Sequence, residues 1–260
     1  MMRALSTAAT GMQAQQLNVD TIANNLANVN TAAFKKTSVR FQDLLYQDLR
    51  PAGDPARLGP PSELAIGHGT KLAATERAFQ QGTTEQTDNP LNLAIEGDGF
   101  FQVRRTDGTI GYTRDGAFFV SADGMLVNSD GLYVEPAIQV PDDARQLFIS
   151  QDGLVSVNFI DSNDTEDIGQ IELVRFLNPA GLSALGRNQY QQTPASGAPI
   201  AGTPGSAGIG GVLQGFLEGS NVEVVDEMVS LITAQRAYEI NSKAIQTADS
   251  MLSQATQLVR

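Results

Sequence analysis

Two aspartates in tight-turn sequences, Asp107 and Asp115, are the nearest approach in this 260-residue chain to a catalytic carboxylate pair. Such a pair, set on either side of a glycosidic bond, would hydrolyse sugars. Each is followed by glycine, however, and an Asp-Gly turn accounts for the aspartate without any chemistry. The acidic run "DSNDTEDIGQIE" (161–172) invites calcium, but an EF-hand loop needs Gly at its sixth position and a suitable ligand at its fifth. Glu166 and Thr165 stand there. "GIGG" (208–211) lacks the third glycine and preceding strand of a dinucleotide fingerprint, and "GHGTK" (67–71) lacks P-loop spacing. His68 is the single histidine, and there is no cysteine. Disulfides, thiolate metal sites and multi-histidine centres are excluded. No catalytic set, metal site or cofactor is expected, so the function must lie in surfaces.

Composition narrows those surfaces. With 17 basic and 29 acidic residues the chain carries a formal charge of -12, which disfavours a phosphate backbone as partner. No run reaches the ~18 apolar residues of a membrane span. The N-terminal residues lack the cationic start, apolar run and cleavage site of a secretory signal. A location outside the cytoplasm would therefore require a route without a cleaved signal.

The two ends read as helices. Leu5, Ala8, Met12, Gln15, Val19, Ile22, Leu26 and Val29 recur at the 3.5-residue spacing of a coiled-coil seam, with only Gln15 polar. The back face carries almost no charge: Asn24, Asn25 and Asn28 stand where a solvated helix would show Lys or Glu. Lys35 and Lys36 follow, where a helix C-terminus favours cations. At the other end "SNVE" (220–223) has capping-box spacing, with Ser220 as N-cap. Val225, Val229, Ile232, Ile240, Met251 and Leu258 then form an apolar stripe. The spacing predicts paired terminal helices whose sparsely charged outer faces, including Arg236 and Tyr238, meet further subunits; the plainer alternative packs both helices onto the middle of the chain.

The centre is different. Asp-Gly recurs at 98–99, 107–108, 115–116, 123–124, 130–131 and 152–153, between short runs such as "FFQVR", "LVSVNFI" and "IELVRF". That beat predicts antiparallel meanders. The class is therefore α+β: a helix over 1–34, a connecting segment over 35–80, a β-rich domain over 81–177, a Gly/Pro/Ser-rich irregular return over 178–219 and a helix over 220–260. Within the connection, 46–64 carries four prolines and reads as an extended arm or a disordered loop.

Five stretches in order, "NNLANVNTAAFKK" (24–36), "GDGFFQV" (97–103), "YTRDGAF" (112–118), "LEGSNV" (217–222) and "ITAQRAYEINSKAIQTADSML" (232–252), resemble the rod and hook axial proteins of the bacterial flagellum. The length and the stretch 69–101 suit distal-rod members, with proximal-rod and hook-type members as alternatives. A secreted β-rich binding module is the rival from another class. The resemblance implies a self-assembling homopolymer: terminal helices forming the inner layer of a hollow tube, a β domain outside, and no enzymatic role. It further implies proximal rod and hook proteins as neighbours, surrounding P and L rings, and export through the flagellar type III apparatus. By position, Tyr46, Arg50, Pro51, Pro60 and Pro61 of the arm would carry subunit contacts. One residue departs from the family: Ala33 stands before Phe34 where glycine is usual. Either it avoids positive φ or it bears roughly 1 kcal/mol of strain.

Overall fold

The computed structural model describes residues 2–50, 64–141, 143–159, 165–206 and 208–258. Pro51, Pro60 and Pro61 and the start of the acidic run lie outside these residues, as do the side chains of Arg50 and Leu258. The chain divides into two units: residues 1–27, 37–77 and 223–260 form one, and residues 28–36 and 78–222 the other.

The first unit is built on two helices, α1 (Met2–Ala27) and α2 (Val224–Leu258). They run antiparallel, since Gly11 lies against Asn241 and Asn25 bonds to Glu227. Neither helix has the charged coat that usually keeps an exposed helix soluble. Their hydroxyls turn inward instead: Thr10, Thr21, Thr233 and Thr247 donate to carbonyls three or four residues back at 2.8 Å. Such back-bonding satisfies polar groups without charge. Alongside stands an antiparallel pair, β1 (Thr37–Asp43) with β4 (Thr70–Arg77), extended by β2 (Tyr46–Arg50) paired with β3 (Leu64–Gly67). The described ends of the expected arm are thus strands.

α1 ends seven residues earlier than the predicted 1–34. Asn28 turns the chain, its carbonyl accepting from the Thr31 N–H at 3.1 Å. Val29 therefore sits on no helical seam, and Lys35 caps no helix. α2 likewise begins at Val224 rather than at the predicted box. The Ser220 hydroxyl accepts from the Val222 N–H at 3.3 Å, a local turn, so Ser220 is not an N-cap. Asp226 and Glu227 occupy the first turn of α2, where the helix dipole favours carboxylates.

The second unit is antiparallel β, as the Asp-Gly beat predicts. Its main sheet runs 183–186, 189–191, 110–113, 100–104, 133–135, 126–128, 118–120, with 173–175 joining 100–104 to 200–202. A three-stranded sheet comprises 144–149, 154–159 and 165–170. The ribbons 93–96 with 211–214 and 84–86 with 216–218 complete the unit. Side chains alternate across a strand. Phe101 and Leu173 therefore enter a core with Leu93, Phe118, Val157 and Val212, while Phe100 and Val174 enter a second cluster with Tyr112, Phe176 and Tyr190. Four of the Asp-Gly glycines (108, 124, 131, 153) take φ of 76–80° in tight turns. Gly116 has another reason to be glycine: a Cβ there would lie 1.6 Å from the Leu93 carbonyl oxygen.

The 178–219 stretch is not an irregular return. It contributes Ser183–Gly186, Gln189–Gln191, Ile200–Gly202, Gly211–Gln214 and Phe216–Glu218, all paired. These strands are three or four residues long and pair with segments up to more than a hundred residues away, which no local pattern announces.

Candidate assembly surface and charge junction

Three charged side chains meet in the interior of the β unit. Glu218 and Lys35 have no exposed side-chain surface, and Lys35 Nζ lies 2.5 Å from Glu218 Oε1. Arg114 approaches the same carboxylate at 3.3 Å from Nη1 to Oε2. The Gly82 N–H donates to Glu218 Oε1 at 2.9 Å. Arg114 Nε donates to the Gly99 carbonyl at 2.9 Å, its Nη2 to the Gly97 carbonyl, and its guanidinium stacks over Phe100. Lys35 Nζ also donates to the Gln80 carbonyl at 2.7 Å. Burial pulls Lys35 below its ordinary pKa, against the attraction of Glu218. One carboxylate thus balances two cations, and backbone carbonyls take the remaining donors, which a buried charge requires.

The junction gathers four of the sequence stretches quoted above: Lys35 from "TAAFKK", Gly97 and Gly99 from "GDGFF", Arg114 from "YTRDGAF" and Glu218 from "LEGSNV". Asn221 extends it. Its side chain accepts from the Lys36 N–H at 2.7 Å and donates to the Ala78 and Gln80 carbonyls at 2.9 and 3.1 Å. Chain segments leave this unit after Lys36, before Ala78 and after Val222, so Asn221 stitches its departing ends together. Ala33, 1% exposed, donates its N–H to the Glu218 carbonyl at 2.7 Å and adopts φ of 55°. The chain keeps the left-handed turn and accepts the strain. Spacing alone did not bring Lys35, Arg114, Glu218 and Asn221 together; for the three charged residues the available signal was charge set within otherwise apolar or small-residue stretches.

In the helical unit Asn25 is not an outward-facing residue. It is 1% exposed; its Nδ2 donates to the Thr37 carbonyl at 2.9 Å and to Glu227 at 3.3 Å, and its Oδ1 accepts from the Thr37 N–H at 3.0 Å. The amide replaces a strand partner for β1, leaving nothing to offer a neighbour. Asn24 is exposed, and Asn28, in the other unit, accepts from the Thr31 hydroxyl. Arg236 is exposed and Tyr238 is 42% exposed, and both lie on α2. Tyr46, 58% exposed, stacks its ring near Gly67 on the β2–β3 pair.

The predicted seam divides. On α1, Ile22 is buried and Leu5, Met12, Val19 and Leu26 are half-buried, with Ala14 buried beside them. On α2 the predicted stripe faces the wrong way: Val225, Val229, Ile232, Ile240 and Met251 are 49–67% exposed. The buried positions are Glu227 and Ala234, with Leu231, Ala237, Asn241, Ile245 and Ala248 half-buried. Alanines at 234, 237 and 248 allow close helix approach, with Leu231 and Ile245 supplying the larger side chains on that face. Periodicity found the strongest apolar stripe on α2, and that stripe is the outer one. Grooves of 490 and 320 Å³ flank the helix pair, the first lined by Gln16, Val19, Gln235, Tyr238 and Glu239, the second including Val229.

Asp107 accepts from the Thr109 N–H and hydroxyl, and Asp115 from the Ala117 N–H, the side-chain turns that their sequence implies. Among the described residues no cluster of three or more metal-binding side chains occurs, and no helix is long and apolar enough to cross a membrane.

Comparison with known proteins finds matches along most of the chain. Residues 5–35 match the flagella basal body rod protein model, 94–157 the flagellar hook protein FlgE/F/G D1 domain, and 213–258 the flagellar basal body rod FlgEFG protein C-terminal model. The flagellar basal-body rod protein FlgG of Borreliella burgdorferi is 54% identical over 264 residues, covering 100% of both chains. The chain belongs to the flagellar rod protein FlgG family. Its Agrobacterium fabrum relative of the same description is 48% identical over 97% of each chain. A flagellar hook protein FlgE of Helicobacter mustelae matches at 41% identity over only 52% of this chain and 30% of its own. Full-length agreement is therefore with FlgG rather than with FlgE, and membership makes this chain a structural rod protein of the flagellar axis.

Proposed function

We propose that the chain is a subunit of the distal rod, polymerising head-to-tail into a stiff hollow tube that transmits torque. The observation that carries this reading is the outer stripe of α2. Val225, Val229, Ile232, Ile240 and Met251 are exposed at helical spacing along α2, interrupted by Arg236 and Lys243, and a group of exposed large apolar side chains of this kind marks an interaction site. A tube requires heterologous contacts that do not close into a ring. In this reading the helices form the inner layer, and their neutral Asn, Ser, Thr and Ala surfaces meet neighbours without the desolvation cost of buried charge. Asn24, Asn28, Arg236 and Tyr238 remain the candidates for those contacts, and Tyr46 and the arm beyond it for lateral ones.

The same reading places the protein in the basal body, from periplasm to outer membrane, between proximal rod and hook and inside the P and L rings. It arrives there through the flagellar type III apparatus. The test is assembly itself. Purified protein followed by sedimentation and electron microscopy should form filaments in a concentration-dependent manner. Val229→Asp and Ile240→Asp should abolish them while leaving monomer stability within about 0.5 kcal/mol, as surface changes do. A small closed oligomer, or filaments indifferent to both substitutions, would refute the proposal.

A further inference from the structure

The β unit contains a cavity of 210 Å³ walled by Phe79, Phe100, Phe176 and Leu177, with Arg175 and Asp98 in its lining. It is smaller than pockets for drug-sized ligands, which run from ~300 Å³ upward. A single branched aliphatic side chain matches its scale. The ring walls are fixed: Phe79 packs edge-on against Phe100 at 5.5 Å between centroids, and Phe100 against Phe176 at 5.8 Å. Arg114 also lines the cavity, but its charge is spent on Glu218. Arg175 is different: it is half-buried, and its guanidinium makes no hydrogen bond or ion pair with any described residue. An apolar socket beside an unspent cation calls for an apolar side chain flanked by carboxylate.

The first unit presents such a group. Leu45 is 88% exposed, the most exposed large hydrophobic among the described residues. It stands between β1 and β2 with Asp43 and Asp48 on either side, and neither carboxylate makes a hydrogen bond or ion pair with a described residue. Two copies of a chain of charge -12 repel on approach. Contact between them is favoured where acids of one meet unpaired cations of the other. We propose that this cavity is the socket for Leu45 of a second copy of the chain, with Arg175 meeting Asp43 or Asp48 of that copy. The inference rests on the self-assembly reading and names one contact within it.

The absence of cysteine makes the test clean. Leu45→Cys and Leu177→Cys proteins, one isotope-labelled, are mixed at polymer-forming concentration, mildly oxidised, and their disulfides identified by mass. Both side chains are at least 80% exposed, so neither substitution threatens the fold. The expected result is a mixed 45–177 disulfide well above its statistical share. Arg175→Glu should raise the concentration needed for polymer on the order of tenfold, about one charge-assisted contact. Asp43→Lys with Asp48→Lys in the same chain should recover it. Polymers with only statistical disulfides and no charge-swap recovery would overturn the socket and leave the assembly reading standing. Protein that stays monomeric at every concentration would overturn both.

Discussion

Glu218 offers the sharpest perturbation, because one carboxylate there holds two cations. Glu218→Gln preserves its volume and a carbonyl to accept the Gly82 N–H, but removes the negative charge that Lys35 meets at 2.5 Å and Arg114 at 3.3 Å. Removing one partner of a buried pair costs about 3–5 kcal/mol, since the orphaned charge stays desolvated. With two cations orphaned, the upper part of that range is expected. Lys35→Met should cost less. Glu218 keeps Arg114 and the Gly82 N–H, so no charge is orphaned, and the net loss is about that of one charge-assisted bond, ~1.5–3 kcal/mol, because burial already penalises the ammonium. The double variant leaves only Arg114, still held by the Gly97 and Gly99 carbonyls, so the two effects should fall short of additive by at least ~1 kcal/mol. Urea unfolding followed by circular dichroism measures all three. For a β unit of this size, Glu218→Gln should lower Tm on the order of 10 °C. The reasoning fails if Lys35→Met proves as costly as Glu218→Gln, or if the two effects simply add.

Other expectations follow from single residues. Ala33→Gly relieves a left-handed penalty of ~1–2 kcal/mol against ~0.4–1 kcal/mol of added chain entropy, so unfolding should show a small net gain, about 0.5 kcal/mol; Ala33→Val, β-branched at φ of 55°, should lose stability instead. Asp115 is raised above its ordinary pKa of 3.8, first by burial and further by Asp130, against bonds from Ala117 and Asn188. The folded chain therefore holds that proton more tightly than the unfolded one, and stability falls as pH rises from 3.8 through the raised value. Asp115→Asn, which can still accept from Ala117, should be the more stable protein at neutral pH, with the advantage vanishing below pH 3.8; an advantage independent of pH would count against the assignment. Asn25→Ala removes a buried amide that makes three hydrogen bonds and should destabilise the helical unit by about 1–3 kcal/mol, read by loss of helical signal. Trypsin on dilute monomer should cut α2 at exposed Arg236 and Lys243 while sparing the β unit, and polymer should resist at both sites.

The sequence made much of this architecture legible, and what it hid has physical causes. The β unit announced itself because Asp-Gly turns are local and their residues are chosen by backbone geometry. Its late strands did not, because pairings such as Gly211–Glu96 and Val212–Ile95 join segments more than a hundred residues apart. The charge junction was invisible for the same reason. Lys35, Arg114 and Glu218 are each unremarkable locally, and only the fold brings them to one point. Asn25 was misread because its type suggested a polar surface. Its neighbours could not reveal that β1 starts where its amide can stand in for a missing strand.

The seam on α2 carries a further lesson. A hydrophobic stripe at helical spacing says that something will cover it, but not that the covering comes from the same chain. In a monomeric protein the strongest stripe faces the core, because no other cover exists. Here the less exposed face of α2 is made of Glu227, Leu231, Ala234, Ala237, Asn241, Ile245 and Ala248, in which small and polar residues outnumber large apolar ones, while Val225, Val229, Ile232 and Ile240 are exposed. An isolated helix gains little from such an outward face, and most helical stability comes from packing. A subunit whose larger apolar stripe remains outside therefore holds part of its stabilisation in reserve for its neighbours. The inversion between inner and outer faces, more than the near-absence of charge, is what an assembly subunit requires and a solitary domain does not.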